Sequence, residues 1–119
     1  MKHNKIIDDL FEKLSECKSL EDILEKETEY DIKIKHELKH GEVDLLYLKT
    51  DYNKAYLFEV KTTDTYKSRQ KALHQLYKDI KYIKQNYHFN GDVFLFYVHS
   101  KKHYKNKYKI EFIEKIKRK

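Results

Sequence analysis

Three charged residues interrupt apolar segments in the middle of the chain, and their types indicate phosphate chemistry. Asp44 lies within the segment Val43–Lys49, while Glu59 and Lys61 end the segment Ala55–Lys61. Two carboxylates on neighbouring strands can bind a hard divalent cation such as Mg²⁺, which leaves coordination positions open to water and phosphate. A lysine beside them can hold and activate that water or stabilise charge on the reacting phosphate. Together these residue types predict a site that hydrolyses phosphodiester bonds.

Strand periodicity places the three charges where apolar side chains are expected. Side chains alternate between the two faces of a strand, so Glu59 and Lys61 share a face with Ala55 and Leu57. By the same rule, Asp44 shares a face with two leucines. An unpaired buried charge costs several kcal/mol or more. Because departures from the local pattern tend to fall at functional sites, the triplet is the first candidate for one.

A purely structural interpretation of the same residues stays open. Glu59 and Lys61 are spaced to form a partly buried ion pair, and Asp44 is placed to cap the edge of a hairpin. This interpretation needs neither a ligand nor a reaction.

Two helices and at least four strands are expected to position the triplet. Apolar spacing predicts helices, and alternating or continuous apolar runs predict strands. The predicted elements are a helix over about residues 4–28 with a second helix start near Ser19, strands beginning at Tyr30, Val43, Ala55 and Asp92, and a long helix from about Thr65 to Asn86. The segment Tyr108–Ile116 fits a further strand or a short helix. This order predicts one mixed α/β domain over residues 1–119.

The charge balance indicates a polyanionic partner. The 119 residues include 26 Lys and Arg against 20 Asp and Glu, a net charge of +6, which suits binding to nucleic acid. The single cysteine, Cys17, excludes an internal disulfide framework and a cysteine-based zinc site. No apolar run approaches the roughly 18 residues of a membrane helix, and the N-terminus lacks a signal-peptide pattern. We therefore expect a soluble, intracellular, cytoplasmic protein with no membrane partner.

The region from Gly41 to Thr63 resembles the core motif of the PD-(D/E)XK nucleases. In that superfamily an Asp lies on the second core strand and Glu-x-Lys lies on the third, within an αβββαβ core. The stretch Gly-Glu-Val-Asp, followed after a hairpin by Phe-Glu-Val-Lys, is similar to archaeal Holliday-junction resolvases and small RecB-type nucleases. Val43 stands where the superfamily pattern has a proline. The resemblance implies a restriction-endonuclease-like fold, with a mixed central sheet flanked by helices, and a metal-dependent DNA nuclease.

The resemblance also implies roles for individual residues. Asp44 and Glu59 would bind Mg²⁺, or Mn²⁺ in its place, assisted by the backbone carbonyl of Val60. Lys61 would position or polarise the attacking water. Many relatives use a glutamine in the following helix, and Gln75 matches it.

Two features of the helices leave alternatives open. Gln70 lies closer than Gln75 to the apolar stripe of its predicted helix, and an exposed helix glutamine is the alternative to a catalytic one. Junction resolvases also use a Glu in the first helix, where Asp9, Glu12 and Glu16 are the positions to test. Solvated helix charges are the simpler interpretation of these three.

Basic residues after the motif are expected to hold the phosphate backbone. Lys67, Arg69 and Lys71 begin the second predicted helix, next to the site. The Lys- and Tyr-rich stretch Ser100–Tyr108 either stacks on unpaired bases or forms a solvated loop. Most of the seven histidines are expected at the surface.

Two functions stay open at the level of the sequence. One is a metal-dependent nuclease acting on DNA, and the other is a non-catalytic nucleic-acid-binding module on the same fold. The intact set of Asp44, Glu59 and Lys61 favours the nuclease, because a degenerate module would have lost at least one member. RNA as substrate, the substrate structure (junction, flap, single strand or duplex end) and endo- or exonuclease action stay open. A homodimer is expected by analogy only.

Overall fold

The structure, a computed structural model, describes residues 2–13, 31–37, 43–49, 53–100 and 108–117. Within these ranges the elements are α1 (His3–Lys13), β1 (Asp31–Glu37), β2 (Val43–Lys49), β3 (Lys54–Lys61), α2 (Tyr66–Asn86), β4 (Asp92–His99) and β5 (Lys109–Ile116). The strands form one sheet in the order β1-β2-β3-β4-β5. The predicted α/β class is therefore confirmed, and the described strands belong to one compact unit.

The sheet is mixed because one helical crossover interrupts an antiparallel run. Strands β1, β2 and β3 pair antiparallel as a meander. Strand β4 pairs with β3 in parallel, which requires a crossover connection, and α2 supplies it. Strand β5 returns antiparallel to β4, with a register shift between Leu95 and Phe96.

The two helices pack on opposite faces of the sheet and define two apolar layers. The layer under α1 contains Ile6, Ile7, Leu10, Leu45, Tyr47, Tyr56, Phe58, Val60, Phe96 and Val98. The layer under α2 includes Leu46, Leu48, Ala55, Leu57, Leu76, Ile80, Ile83, Val93 and Leu95. Strand β3 contributes alternate residues to both layers, as its sequence pattern predicts. The site residues at its end therefore belong to a strand that is covered on both sides.

The element boundaries follow the sequence closely in the central region. Strand β2 spans the predicted residues, and α2 begins one residue after its predicted start because Thr65 is its N-cap. The segment with two possible interpretations, Tyr108–Ile116, forms a strand from Lys109. The predicted second helix start near Ser19, Cys17 and residues 101–107 of the basic stretch lie outside the described residues. In the described ranges, neither helix has the length and apolar character needed to cross a membrane.

Asn53 and Gly91 hold the starts of β3 and β4 together. Asn53 has a positive φ of 54°, a conformation that asparagine adopts more readily than most residues. Its carbonyl oxygen accepts a hydrogen bond of 3.1 Å from the backbone N–H of Asp92. A Cβ atom on Gly91 would lie well inside van der Waals contact with that carbonyl. Glycine is therefore required at position 91 by close backbone approach.

We predict that Gly91→Ala destabilises the protein by roughly 1–3 kcal/mol, the usual cost of forcing extra atoms into a packed site. The exposed neighbour provides a matched control: Asn90→Ala should change the free energy of unfolding by less than about 0.5 kcal/mol. Urea unfolding of both variants measures the difference. Equal stability of Gly91→Ala and the wild type would contradict the close approach.

Candidate active site

Asp44 lies where β2 and β3 stop pairing. The antiparallel register between these strands ends at Leu45 and Phe58. Beyond that point Oδ2 of Asp44 accepts a 2.8 Å hydrogen bond from the backbone N–H of Val60. The carboxylate satisfies a backbone donor that the strand ladder no longer satisfies. The side chain, only 12% exposed, is thereby held against the end of β3.

Glu59 is the most electrostatically perturbed residue of the triplet. Its side chain is buried, and its Oε2 atom has no hydrogen-bond partner among the described residues. Burial, the nearby Asp44 carboxylate and the charge of Asp79 raise the pKa of Glu59 from 4.5 to about 10, while the charge of Lys61 opposes the shift. A buried carboxyl group with one unpaired oxygen is costly. The surroundings of Glu59 therefore favour either a bound proton or a nearby cation.

The predicted contact between Glu59 and Lys61 is present, but the charge of Lys61 does not outweigh the effects that raise the pKa of Glu59. The Lys61 Nζ atom lies 3.6 Å from Glu59 Oε1, and the lysine side chain is 29% exposed against 5% for the glutamate. A dominant ion pair would lower the pKa of the carboxyl group, whereas here the pKa is raised. The structural interpretation therefore accounts for one contact of Glu59 and not for its electrostatic environment.

Glu59 and Lys61 line an open cleft against one side of α2. The cleft has a volume of about 440 Å³, and its wall comprises Glu59, Lys61, Lys67, Gln70, Lys71, His74 and Gln75. The helical members recur three and four residues apart, which places them on one helix face. The structure thus brings Lys67, Lys71 and Gln75, as well as Gln70, to the end of β3. One carboxylate, Glu59, with Asp44 beside it, and lysines along the wall suit a phosphate-bearing ligand.

Asp79 adds a buried acid beneath the cleft. It is 1% exposed, and its Oδ1 atom accepts a 2.9 Å hydrogen bond from Nε2 of Gln75. The contact fixes the amide of Gln75 at the cleft wall.

Arg69 does not line the cleft, unlike the other two predicted phosphate-binding residues. Its Nη1 atom lies 3.0 Å from Oε2 of Glu111, and its Nη2 atom lies 3.4 Å from Oδ1 of Asp64. Its guanidinium also stacks over the ring of Tyr97, 4.8 Å from the ring centre. Hydrogen bonds from Arg69 are the main reason that the pKa of Glu111 falls to about 2. This charge is therefore committed to internal carboxylates.

His99 joins the same cluster and is a buried exception to the prediction that most histidines lie at the surface. Its side chain is 1% exposed, with Nε2 2.9 Å from Oε1 of Glu111 and Nδ1 3.8 Å from Oδ2 of Asp64. One possible ligand atom from each of Asp64, His99 and Glu111 lies within 4.8 Å of the others. A metal could use such a set, but the Arg69 guanidinium already contacts both carboxylates.

Within its described residues, the first helix brings a histidine, His3, to the triplet. Nε2 of His3 lies 3.2 Å from Oδ2 of Asp44. Asp9 accepts a 2.6 Å hydrogen bond from the Tyr108 hydroxyl, Glu12 is exposed, and Glu16 lies outside the described residues. His3 precedes the buried residue Ile7 by four positions. This spacing places His3 on the apolar stripe of α1, and it is the sequence feature that could have predicted its contact with the sheet.

No protein-family model matches the chain, and comparison with curated proteins and with solved structures gives no match. The functional argument therefore depends on the geometry of this chain.

The raised pKa of Glu59 predicts that the metal-free protein loses stability as the pH rises. Between about pH 4.5 and 10 the folded state retains a proton at Glu59 that the unfolded state releases. The folded state then binds more protons, so the free energy of unfolding falls with increasing pH. Glu59→Gln, which resembles the protonated acid, should show a flatter profile than the wild type.

Urea unfolding in a chelator at several pH values tests this prediction. Glu12→Gln, an exposed change on α1, is the matched control and should keep the wild-type slope. If the free energy of unfolding of Glu59→Gln had the same pH dependence as that of the wild type, the pKa of Glu59 would be the same in the folded and unfolded states, and the prediction would be wrong.

Proposed function

We propose that this protein is a metal-dependent nuclease that hydrolyses phosphodiester bonds in DNA. The observation that carries the proposal is the environment of Glu59. Its carboxyl group is buried beside Asp44, has an oxygen with no hydrogen-bond partner in the described part of the chain, and forms part of a lysine-lined cleft. Carboxylates that crowd together beside a phosphate-sized opening are the arrangement that a divalent cation stabilises.

The order of elements supports a restriction-endonuclease-like topology. A helix, an antiparallel three-strand meander, a crossover helix and a strand parallel to β3 follow one another, as in the αβββαβ core of the PD-(D/E)XK nucleases. Strand β5 extends this arrangement at one edge of the sheet. The presence of Asp44 on β2 and of Glu59 and Lys61 on β3 supports the proposal, because the superfamily motif has an Asp on the second core strand and Glu-x-Lys on the third.

Asp44 and Glu59 would hold Mg²⁺ or Mn²⁺, with the Val60 carbonyl as a third oxygen donor. The hydrogen bond from the Val60 N–H to Asp44 keeps this carboxylate beside the Val60 peptide, and an all-oxygen donor set suits a hard cation. When bound, such an ion lowers the pKa of a water molecule and offsets charge on the phosphate. Because Glu59 retains its proton at neutral pH, metal binding must release that proton, and metal affinity should rise with pH.

The cleft residues supply the remaining functions in this proposal. The Lys61 ammonium, beside Glu59 and partly exposed, orients the attacking water or donates to a phosphate oxygen. Lys67 and Lys71 bind flanking phosphates as compact positive charges. Gln75 presents an amide whose orientation is set by Asp79. Arg69 is outside this set because its charge is used within the fold.

We predict that Mg²⁺ or Mn²⁺ stabilises the wild type against unfolding and that Asp44→Asn reduces this effect. A ligand that binds only the folded state contributes about 2.7 kcal/mol at 100 times its Kd. Asparagine keeps an acceptor for the Val60 N–H but removes the ligand charge. Thermal unfolding with increasing metal measures the effect, and Glu12→Gln should respond like the wild type. An equal metal response of Asp44→Asn would exclude Asp44 as a ligand.

We further predict that Lys61→Ala lowers the cleavage rate roughly 10²- to 10³-fold, the usual loss for one donor that acts in the transition state. Both carboxylates remain, so metal-dependent stabilisation should survive. Lys81→Ala, which removes an exposed lysine of α2 away from the cleft wall, is the matched control and should cleave normally. Labelled single-stranded, duplex, flap and four-way-junction DNA and single-stranded RNA, each with Mg²⁺ or Mn²⁺, form the substrate panel. Binding without cleavage of any substrate would identify a non-catalytic nucleic-acid-binding module instead.

A further inference from the structure

Tyr66, the first residue of α2, carries the most exposed large apolar side chain in the described part of the chain. It is 81% exposed, whereas Tyr77 and Phe112 are 45% and 51% exposed. The Tyr77 hydroxyl donates a 2.6 Å hydrogen bond to Glu114, and the Phe112 ring lies 5.6 Å from the Phe96 ring. Within the described ranges, no comparable contact holds the ring of Tyr66. Packing therefore does not explain an aromatic residue at this position.

The backbone that presents Tyr66 is well fixed. Ser68 N–H donates to Oγ1 of Thr65 at 3.1 Å, and Thr65 N–H donates to Oγ of Ser68 at 2.9 Å. This capping box fixes the first turn of α2 on either side of Tyr66. The Thr63 hydroxyl donates to the same Ser68 oxygen at 3.2 Å, which ties the preceding segment to the turn. An aromatic ring on a fixed backbone offers contact area at low entropic cost.

Helical geometry places Tyr66 at one end of the cleft. Side chains four residues apart are neighbours on a helix, so Tyr66 adjoins Gln70, which lines the cleft together with Lys67 and Lys71. Gln75 follows Tyr66 by nine positions, which corresponds to about 14 Å along the helix axis. The exposed ring of Tyr66 therefore precedes the lysines of the cleft wall, and the wall also includes Glu59 of the proposed site. The first turn of α2 contains no acidic residue that would repel a phosphate.

An aromatic ring and lysines along one path match the two parts of a nucleotide strand. Lysines contact phosphates regardless of sequence, and an aromatic face stacks on a base. Bases within a continuous duplex already stack on each other, so an exposed ring can take only an unpaired base. We propose that Tyr66 is a stacking platform for an unpaired base, and that the cleft takes a single-stranded segment of nucleic acid. This inference rests on the proposed function and names its substrate class.

The test measures binding in EDTA, where the proposed nuclease is inactive. The probes are a fluorescent single-stranded DNA of about 15 nucleotides and a blunt duplex of the same length. Tyr66→Ala should weaken binding of the single strand about 5- to 150-fold, the effect of losing one stacked base, with little change for the duplex. Tyr66→Trp should retain the affinity, because it retains an aromatic face. Tyr77→Ala is the matched control on the same helix and should bind the single strand like the wild type.

A spectroscopic measurement separates stacking from other effects of the substitution. A single strand containing 2-aminopurine, whose fluorescence falls on stacking, should be quenched by the wild type and Tyr66→Trp but not by Tyr66→Ala. Unchanged quenching in Tyr66→Ala, or an equal loss of affinity for both probes, would overturn the inference. Absence of binding to either probe by the wild type would overturn it as well.

The outcomes also distinguish this inference from the proposed nuclease activity. If the wild type cleaves DNA with Mg²⁺ while Tyr66→Ala binds the single strand normally, the nuclease stands and the stacking platform is wrong. If Tyr66 stacks on the probe as expected but no substrate is cleaved, the binding surface stands and the nuclease is wrong.

Discussion

The hydrogen bond from the Val60 N–H to the Asp44 carboxylate is the contact on which the rest of the site depends. At this point β2 leaves β3, and a side chain takes over the role of the backbone ladder. Because the acceptor is a carboxylate, the same contact that closes the sheet also brings negative charge to the end of β3. Glu59 then lies in a region that already contains one carboxylate, under the cover of α2. The fold and the electrostatic character of the site therefore have a common origin.

Burial on both faces of β3 makes that electrostatic character strong. The layer under α1 and the layer under α2 exclude water from the end of the strand, so neither Asp44 nor Glu59 is well solvated. Lys61 lies close enough to attract Glu59 but reaches the open cleft, where water screens its charge. If the same three residues were exposed to water, hydration would stabilise their charges and a bound cation would add little. The two-sided core therefore favours a proton on Glu59, and it would equally favour the metal ion of the proposed function.

The sequence predicted those parts of the fold and site that depend on local periodicity. The alternation along β3 placed Glu59 and Lys61 on one face, and the apolar stripe located α2 closely enough to put Lys67 and Lys71 beside them. Periodicity carries no information about which distant side chains will meet. His3, which contacts Asp44, precedes it by 41 residues in the chain. Arg69 does not line the cleft because it forms an ion pair with Glu111 on β5. The burial of His99 was also missed by periodicity, because it depends on contacts with Asp64 and Glu111, which lie elsewhere in the chain.

The commitment of Arg69 to Asp64 and Glu111 has a consequence for where an ion can settle. His99 is the ladder partner of Lys61, and neighbouring strands lie about 4.8 Å apart, so the two acidic clusters are adjacent. In the cluster of Asp64, His99 and Glu111, the Arg69 guanidinium is held by both acids and by the Tyr97 ring and supplies a fixed positive charge. Beside Glu59, the positive charge is that of Lys61, a partly exposed lysine at the edge of the cleft. If the proposed site binds a metal ion, Arg69 would make the histidine-containing cluster a weaker competitor for that ion. Loss of Arg69 would then leave a second possible coordination site one strand away from the proposed one.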